Sequence, residues 1–117
     1  MIYYDDLHKE YFERFTEKLS VLDPFTKSAA YLLSLDTVLR EHVNSVFDFD
    51  DLKIKPSSLT ESYQTGTSLK TTRLLFNLWN GFVDEEDIRS YTPYYIFDCS
   101  YGPYYCEALR IRYGWEE

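Results

Sequence analysis

The sequence predicts a mainly α fold: one domain over residues 1–117, a compact bundle of five or six helices with at most a minor β element. Three observations lead there. Apolar residues recur at helical spacing, as in Leu7, Tyr11, Phe12, Phe15, Leu19 and Leu22. Helix-start pairs punctuate the chain at Asp23-Pro24, Thr92-Pro93 and Gly102-Pro103. Of the 117 residues, 44% are hydrophobic and 19% aromatic, enough apolar material for one core.

Residues 5–22 read as an amphipathic helix. Lys9, Glu10, Glu13, Arg14, Glu17 and Lys18 fill its polar face, and Asp5 and Asp6 suit the positive end of its dipole. Asp23 caps a second helix whose stripe is Phe25, Ala29, Leu32 and Leu33. A third starts at Asp36, with Leu39, His42, Val43 and Val46 on one face. It runs into "FDFDDLKIKPSSL", where Pro56 and two serines signal a loop and residues 52–55 could make a short strand. Residues 59–67 read as an irregular connection.

Thr67 or Ser68 caps a fourth helix over 69–80, apolar on most of its surface and therefore central. "NG" at 80–81 stops it, and "DEED" at 84–87 is a solvated turn or a short helix start. "TPYYIFDC" and "GPYYCEAL" share one grammar, a turn or capping residue, proline and two tyrosines. They predict two short helices, 93–100 and 103–112, with Gly102 ending the first. The expected core is Phe12, Phe15, Leu19, Leu32, Leu33, Leu39, Val43, Leu75, Phe76, Trp79, Phe97 and Leu109.

Charge narrows the function classes. The net charge is −8, distributed as −6 over residues 1–51, +3 over 52–83 and −5 over 84–117. An acidic balance argues against direct binding of nucleic acid or of a membrane surface, both of which need a positive field. It suits a basic protein surface. The N-terminus lacks the apolar stretch of a signal peptide, and no apolar run approaches the ~20 residues of a membrane span. A cytoplasmic setting with reduced thiols is the expectation. Nothing in the pattern specifies an oligomeric state.

No catalytic motif stands out: there is no G-x-S-x-G, no H-E-x-x-H and no adjacent Cys/His grouping. The expectation is a protein that is not an enzyme and carries no cofactor. A zinc site would have to be assembled from His8, His42, Asp98, Cys99 and Cys106. The two cysteines are seven residues apart and the two histidines thirty-four, far from paired-ligand spacing. Free thiols and a hydrogen-bonded core histidine at position 42 are the favoured reading. "YQTGTSLKTTR" at 63–73 could hold an anion at a helix start with Lys70 and Arg73, but it lacks the glycines of a P-loop, so a plain capped helix is favoured. The seven tyrosines of residues 90–117 could stack on bases, but acids outnumber bases there.

Two carboxylate clusters remain, Asp48, Asp50 and Asp51, and Asp84, Glu85, Glu86 and Asp87. They lack the spaced oxygens of a calcium loop and are the candidate partner-binding groups. Phe47 and Phe49 beside the first, and Phe82 and Val83 beside the second, are the expected apolar anchors.

"YYDDLHKEYF", "YQTGTSLKTTRLLFNLWNG" and "YTPYYIFDC…GPYY…EALRIRYG" together span most of the chain. In their order the sequence resembles a family of small uncharacterised acidic proteins from Gram-positive bacteria and their phages and mobile elements. The resemblance implies an accessory protein in the bacterial host cell, and no site residue is carried over with it. In that setting the acidic chain is expected to inhibit a host-defence nuclease, a type II CRISPR effector, by occupying a basic nucleic-acid-binding surface as a DNA mimic. The alternative is a structural or regulatory interaction module with another host or phage partner. A metal-dependent protein or enzyme is the third reading.

Overall fold

Asp5 opens the first helix by accepting the His8 N–H on its carboxylate at 2.8 Å. In the computed structural model, which describes residues 1–115, helix α1 runs Asp6–Glu17 and α2 Pro24–Leu35. Asp23 and Thr26 close a reciprocal capping box at the start of α2, and Pro24 sits in its first turn. Helices α3 (Val43–Val46), α4 (Gly66–Asn80), α5 (Pro93–Ile96) and α6 (Gly102–Tyr113) follow, with 3₁₀ turns at Leu39–Glu41, Pro56–Thr60 and Glu85–Tyr91. Strands β1 (Phe47–Asp48) and β2 (Lys53–Ile54) pair antiparallel, Phe47 opposite Ile54. The fold is mainly helical, as the sequence predicts.

Helix α2 is the hub: it packs against α1, α4 and α6. Every residue from Ser28 to Leu35 is buried, so α2 has no polar face. Its serine hydroxyls are satisfied within the helix, Ser28 Oγ donating to the Phe25 carbonyl at 3.0 Å and Ser34 Oγ to the Ala30 carbonyl at 2.7 Å.

Several elements differ from expectation. The third helix is broken in two. Asp36 does cap it, accepting the Val38 and Leu39 N–H groups at 2.9 and 3.2 Å. Its other carboxylate oxygen is held by Thr71 of α4, however, and only a 3₁₀ turn follows before His42 leaves helical geometry. Helix α4 starts earlier, capped by Thr65 with Ser68 returning the bond, because Gly66 is accommodated in the first turn. Gly81 ends it at φ +78, as the "NG" pair predicts. Pro56 opens a 3₁₀ turn rather than a loop. Helix α5 is a single turn, and Gly102 begins α6 rather than ending α5; a Cβ at Gly102 would meet the Phe97 carbonyl at 3.1 Å.

The core also shifts. Phe12, Phe15, Leu32, Leu33, Leu39, Val43, Leu75 and Phe76 are buried, but Leu19, Trp79, Phe97 and Leu109 lie half-buried at its edge. Leu7, Leu22 and Phe25 are exposed, Phe25 under the Arg112 guanidinium at 3.7 Å. The buried face of α1 is His8, Phe12 and Phe15, so the core histidine is His8; His42 is half-buried and stacks flat on Tyr63 at 3.9 Å.

His8 anchors an N-terminal strap. Its Nδ1 accepts the Tyr4 N–H at 3.0 Å, so Nε2 carries the proton and donates to the Tyr31 carbonyl at 3.0 Å. The Tyr31 hydroxyl donates to the Ile2 carbonyl at 2.7 Å, and Glu107 of α6 accepts the Ile2 N–H at 3.2 Å. Residues 2–4 are thereby tied to α1, α2 and α6.

Candidate interaction surface

The first acidic cluster is the tip of the β1–β2 hairpin. Asp48 accepts the N–H groups of Asp50 and Asp51 at 2.9 and 2.8 Å, and Leu52 closes the turn in the left-handed region at φ 53. The Asp51 N–H, the Asp50 N–H and the nearby Lys55 and Lys53 hold the Asp48 carboxyl below its ordinary range. Asp50 and Asp51 project into solvent, Asp51 with Lys53 at 3.9 Å.

The rings expected to anchor this cluster face the other way. Phe47 and Phe49 are 1% and 9% exposed and pack on Trp79 and Phe15. In strand β1 successive side chains point to opposite faces, so Phe47 inward puts Asp48 outward, and Phe49, in the turn that follows, packs on Phe47 with ring centroids 5.4 Å apart.

The second cluster starts the 3₁₀ turn Glu85–Tyr91. Asp84 caps it by accepting the Glu86 N–H at 3.0 Å. Asp87 pairs with Arg73 at 3.5 Å and accepts the Ser90 hydroxyl at 2.9 Å. Glu85 and Glu86 are exposed. Phe82 and Val83, the other expected anchors, are half-buried, Phe82 against Phe76 and Tyr91. The exposed apolar groups on this turn and on α5, which packs against it, are Ile88, Tyr94 and Tyr95.

Both acidic turns are rooted on α4. The hairpin rests on it through Phe47 and Trp79, with ring centroids 4.9 Å apart. The 3₁₀ turn rests on it through Phe82 on Phe76 and Asp87 on Arg73. Arg73, Phe76 and Trp79 are successive i+3 positions, each displaced ~60° around the helix, so the turns flank one helix on neighbouring faces.

The candidate metal ligands are dispersed. Both His8 nitrogens are engaged, His42 is stacked on Tyr63, Cys99 is half-buried with its thiol towards the Ile96 carbonyl, and Cys106 and Asp98 are exposed. Among the described residues no three His, Cys, Asp or Glu side chains come together to hold a metal ion. At the start of α4, the Ser68 N–H is taken by Thr65, Lys70 donates to the Asp98 carbonyl at 2.7 Å and Arg73 is paired with Asp87. That matches a capped helix rather than an anion cradle. Among the described residues no helix is long and apolar enough to cross a membrane.

The tyrosine-rich C-terminal segment divides between core and surface. Tyr101 and Tyr105 are buried, and burial pushes both hydroxyls above their ordinary pKa. Thr71 donates its hydroxyl proton to Asp36 at 3.1 Å, so the Tyr105 hydroxyl donates to Thr71 Oγ1 at 2.6 Å, joining α6, α4 and the end of α2. Tyr94 and Tyr113 are exposed. A groove of about 690 Å3 opens between Ile2, Leu22, Pro24, Ile111 and Trp115, with Glu107 in its wall.

No curated protein and no solved structure matches the chain. The whole chain, residues 1–117, does match one family model, described as a family of unknown function (DUF6075), and the protein belongs to that family.

Proposed function

We propose that this protein is a non-catalytic binding module that presents carboxylates to a basic protein surface, and that it acts as an inhibitor of a host-defence nuclease. A type II CRISPR effector is the first candidate, and a phage or other mobile element of Gram-positive bacteria is the setting in which such an inhibitor serves. The partner's basic surface would otherwise hold nucleic acid, and the carboxylates take the place of phosphates.

The observation that carries this reading is the shared root of the two acidic turns on α4, through Phe47 on Trp79 and Asp87 on Arg73. Carboxylates on a packed helix are held in place before binding, so little ordering entropy is lost on association. Supporting it, His8, Asp36, Thr71 and Tyr105, the buried groups best suited to acid–base chemistry, are occupied with holding elements together.

The test is a pull-down from a host lysate at low and moderate salt, followed by direct binding and cleavage assays with the purified nuclease. The expected result is recovery of a basic nuclease whose binding falls with salt and whose cleavage is inhibited. Charge reversal at the acidic turns should weaken binding and flatten its salt dependence. Recovery of neutral or acidic partners only, unaffected by either charge reversal, overturns the phosphate-mimic reading. Turnover of a nucleotide, peptide or nucleic acid by the protein alone, abolished by one substitution, overturns the non-catalytic part.

A further inference from the structure

Exposed aromatic side chains on a folded surface call for a covering partner when they cluster. Tyr94 is 81% exposed, Ile88 55% and Tyr95 39%. They sit on α5 and the 3₁₀ turn that packs against it. The two tyrosine rings meet edge to face, with centroids 5.3 Å apart, so each holds the other upright.

The chemistry of the covering partner can be read from two facts. Residues 84–98 carry five carboxylates; Asp87 is paired with Arg73 and Lys70 lies at Asp98, which leaves Asp84, Glu85 and Glu86 against the guanidinium of Arg89. Such a rim repels phosphate and attracts cations. Two tyrosine rings of this region, Tyr95 and Tyr91, already accept guanidinium groups within the chain. Arg89 lies over Tyr95 at 5.8 Å and donates to its hydroxyl at 3.2 Å, and Arg73 lies over Tyr91 at 5.9 Å. Among the described residues no cation lies over Tyr94, the most exposed of the three.

We propose that Tyr94, Tyr95 and Ile88, rimmed by Glu85 and Glu86, form the docking face for an arginine-bearing segment of a basic partner protein, with the partner's guanidinium over the Tyr94 ring. This rests on the reading of the protein as a binder of basic surfaces and locates the contact within it. The arginine supplies both a charge for the rim and a flat face for the ring. The hairpin cluster offers carboxylates but no exposed ring, since Phe47 and Phe49 are buried, so it steers an approaching partner without anchoring it.

The test measures fluorescence anisotropy of a labelled short peptide of alternating arginine and glycine, beside a glutamate counterpart and a labelled oligothymidylate. The arginine peptide should bind the wild-type protein with an affinity that falls as salt rises, and the other two should not. Tyr94→Ala should weaken binding about fivefold, the loss of one cation–π contact. Because that side chain is so exposed, circular dichroism of the variant should superpose on the wild type. Glu85→Lys with Glu86→Lys should weaken binding about tenfold at low salt, and Asp50→Lys with Asp51→Lys by less than threefold. Equal losses from the two charge-reversed pairs, or unchanged binding by Tyr94→Ala, overturn this docking face while leaving the basic-partner reading standing. Failure of the wild type to bind the arginine peptide overturns both. Oligothymidylate binding abolished by Tyr94→Ala assigns the face to nucleic acid and overturns the proposal.

Discussion

His8 and Tyr31 form a closed pair inside the protein: the His8 Nε2–H donates to the Tyr31 carbonyl at 3.0 Å, and the two rings meet edge to face with centroids 4.6 Å apart. The other imidazole nitrogen accepts the Tyr4 N–H. A second proton on the ring would turn that acceptor into a donor facing a donor, so the pair requires a neutral imidazole.

This requirement makes stability depend on pH. Burial pushes His8 from 6.5 down to about 4, against the opposing pull of the Tyr31 carbonyl. The unfolded chain therefore takes up the proton first as the pH falls. The stabilisation from keeping the imidazole neutral is complete above about 6.5 and is lost as the pH drops toward 4. Its size is on the order of 3 kcal/mol. Urea unfolding at intervals between pH 7 and 4.5 should show stability falling in the wild type. The slope should flatten in His8→Gln, which carries no titrating group. Parallel slopes would mean that carboxylates alone account for the acid sensitivity.

The chain of Asp36, Thr71 and Tyr105 should behave as one unit. Tyr105→Phe removes one hydroxyl and should cost about 1 kcal/mol. Thr71→Val strands both a buried carboxylate oxygen and the tyrosine hydroxyl, and should cost about 2–3 kcal/mol. With both changes the tyrosine hydroxyl is no longer stranded, so the double variant should be more stable than the sum of the two losses predicts, by about 1 kcal/mol. A double-mutant cycle from denaturant midpoints measures this, and strict additivity would mean the three groups act independently.

The structure explains why some of this was legible in the sequence and some was not. Asp23-Pro24 and Asn80-Gly81 are local devices, fixed by residues next to each other, and both boundaries fall where the sequence places them. The end of the third helix is not local: Asp36 is drawn to Thr71, 35 residues away, and no short-range pattern reveals that. That His8 and not His42 is the core histidine is hidden in the sequence, because Leu7 satisfies the apolar pattern of α1 as well as His8 does. Only the tertiary acceptor on Tyr31 makes the imidazole the better buried group. Of the candidate contact groups, both acidic turns were visible as charge runs. Phe47 and Phe49 are buried rather than exposed, and the two-residue strand that turns Phe47 inward is too short to show as a period in the sequence.

The thiols should separate by exposure. Cys106 is exposed and Cys99 is half-buried with its Sγ 3.7 Å from the Ile96 carbonyl. A maleimide or disulfide reagent should modify Cys106 quickly and Cys99 only as the α5–α6 region opens. Two labelling phases, the faster removed by Cys106→Ser and the slower accelerated by mild denaturant, are expected. Elemental analysis of the purified protein should find no stoichiometric zinc. Stoichiometric metal lost on Cys99→Ser would reverse that expectation.

The strap at residues 2–4 has a consequence for synthesis. The bond from the Ile2 N–H to Glu107 joins groups 105 residues apart. On the ribosome, α1 and α2 emerge long before α6 exists, so they can pair early through Phe12, Phe15 and Tyr31. The strap then has two of its three fastenings, on His8 and Tyr31, but not the third. Tyr4 also lacks the rings of Tyr101 and Tyr104, against which it rests in the finished protein. A ribosome stalled before α6 would therefore hold a strap still more open to proteases and chaperones than in the folded domain, and its full closing would wait on α6.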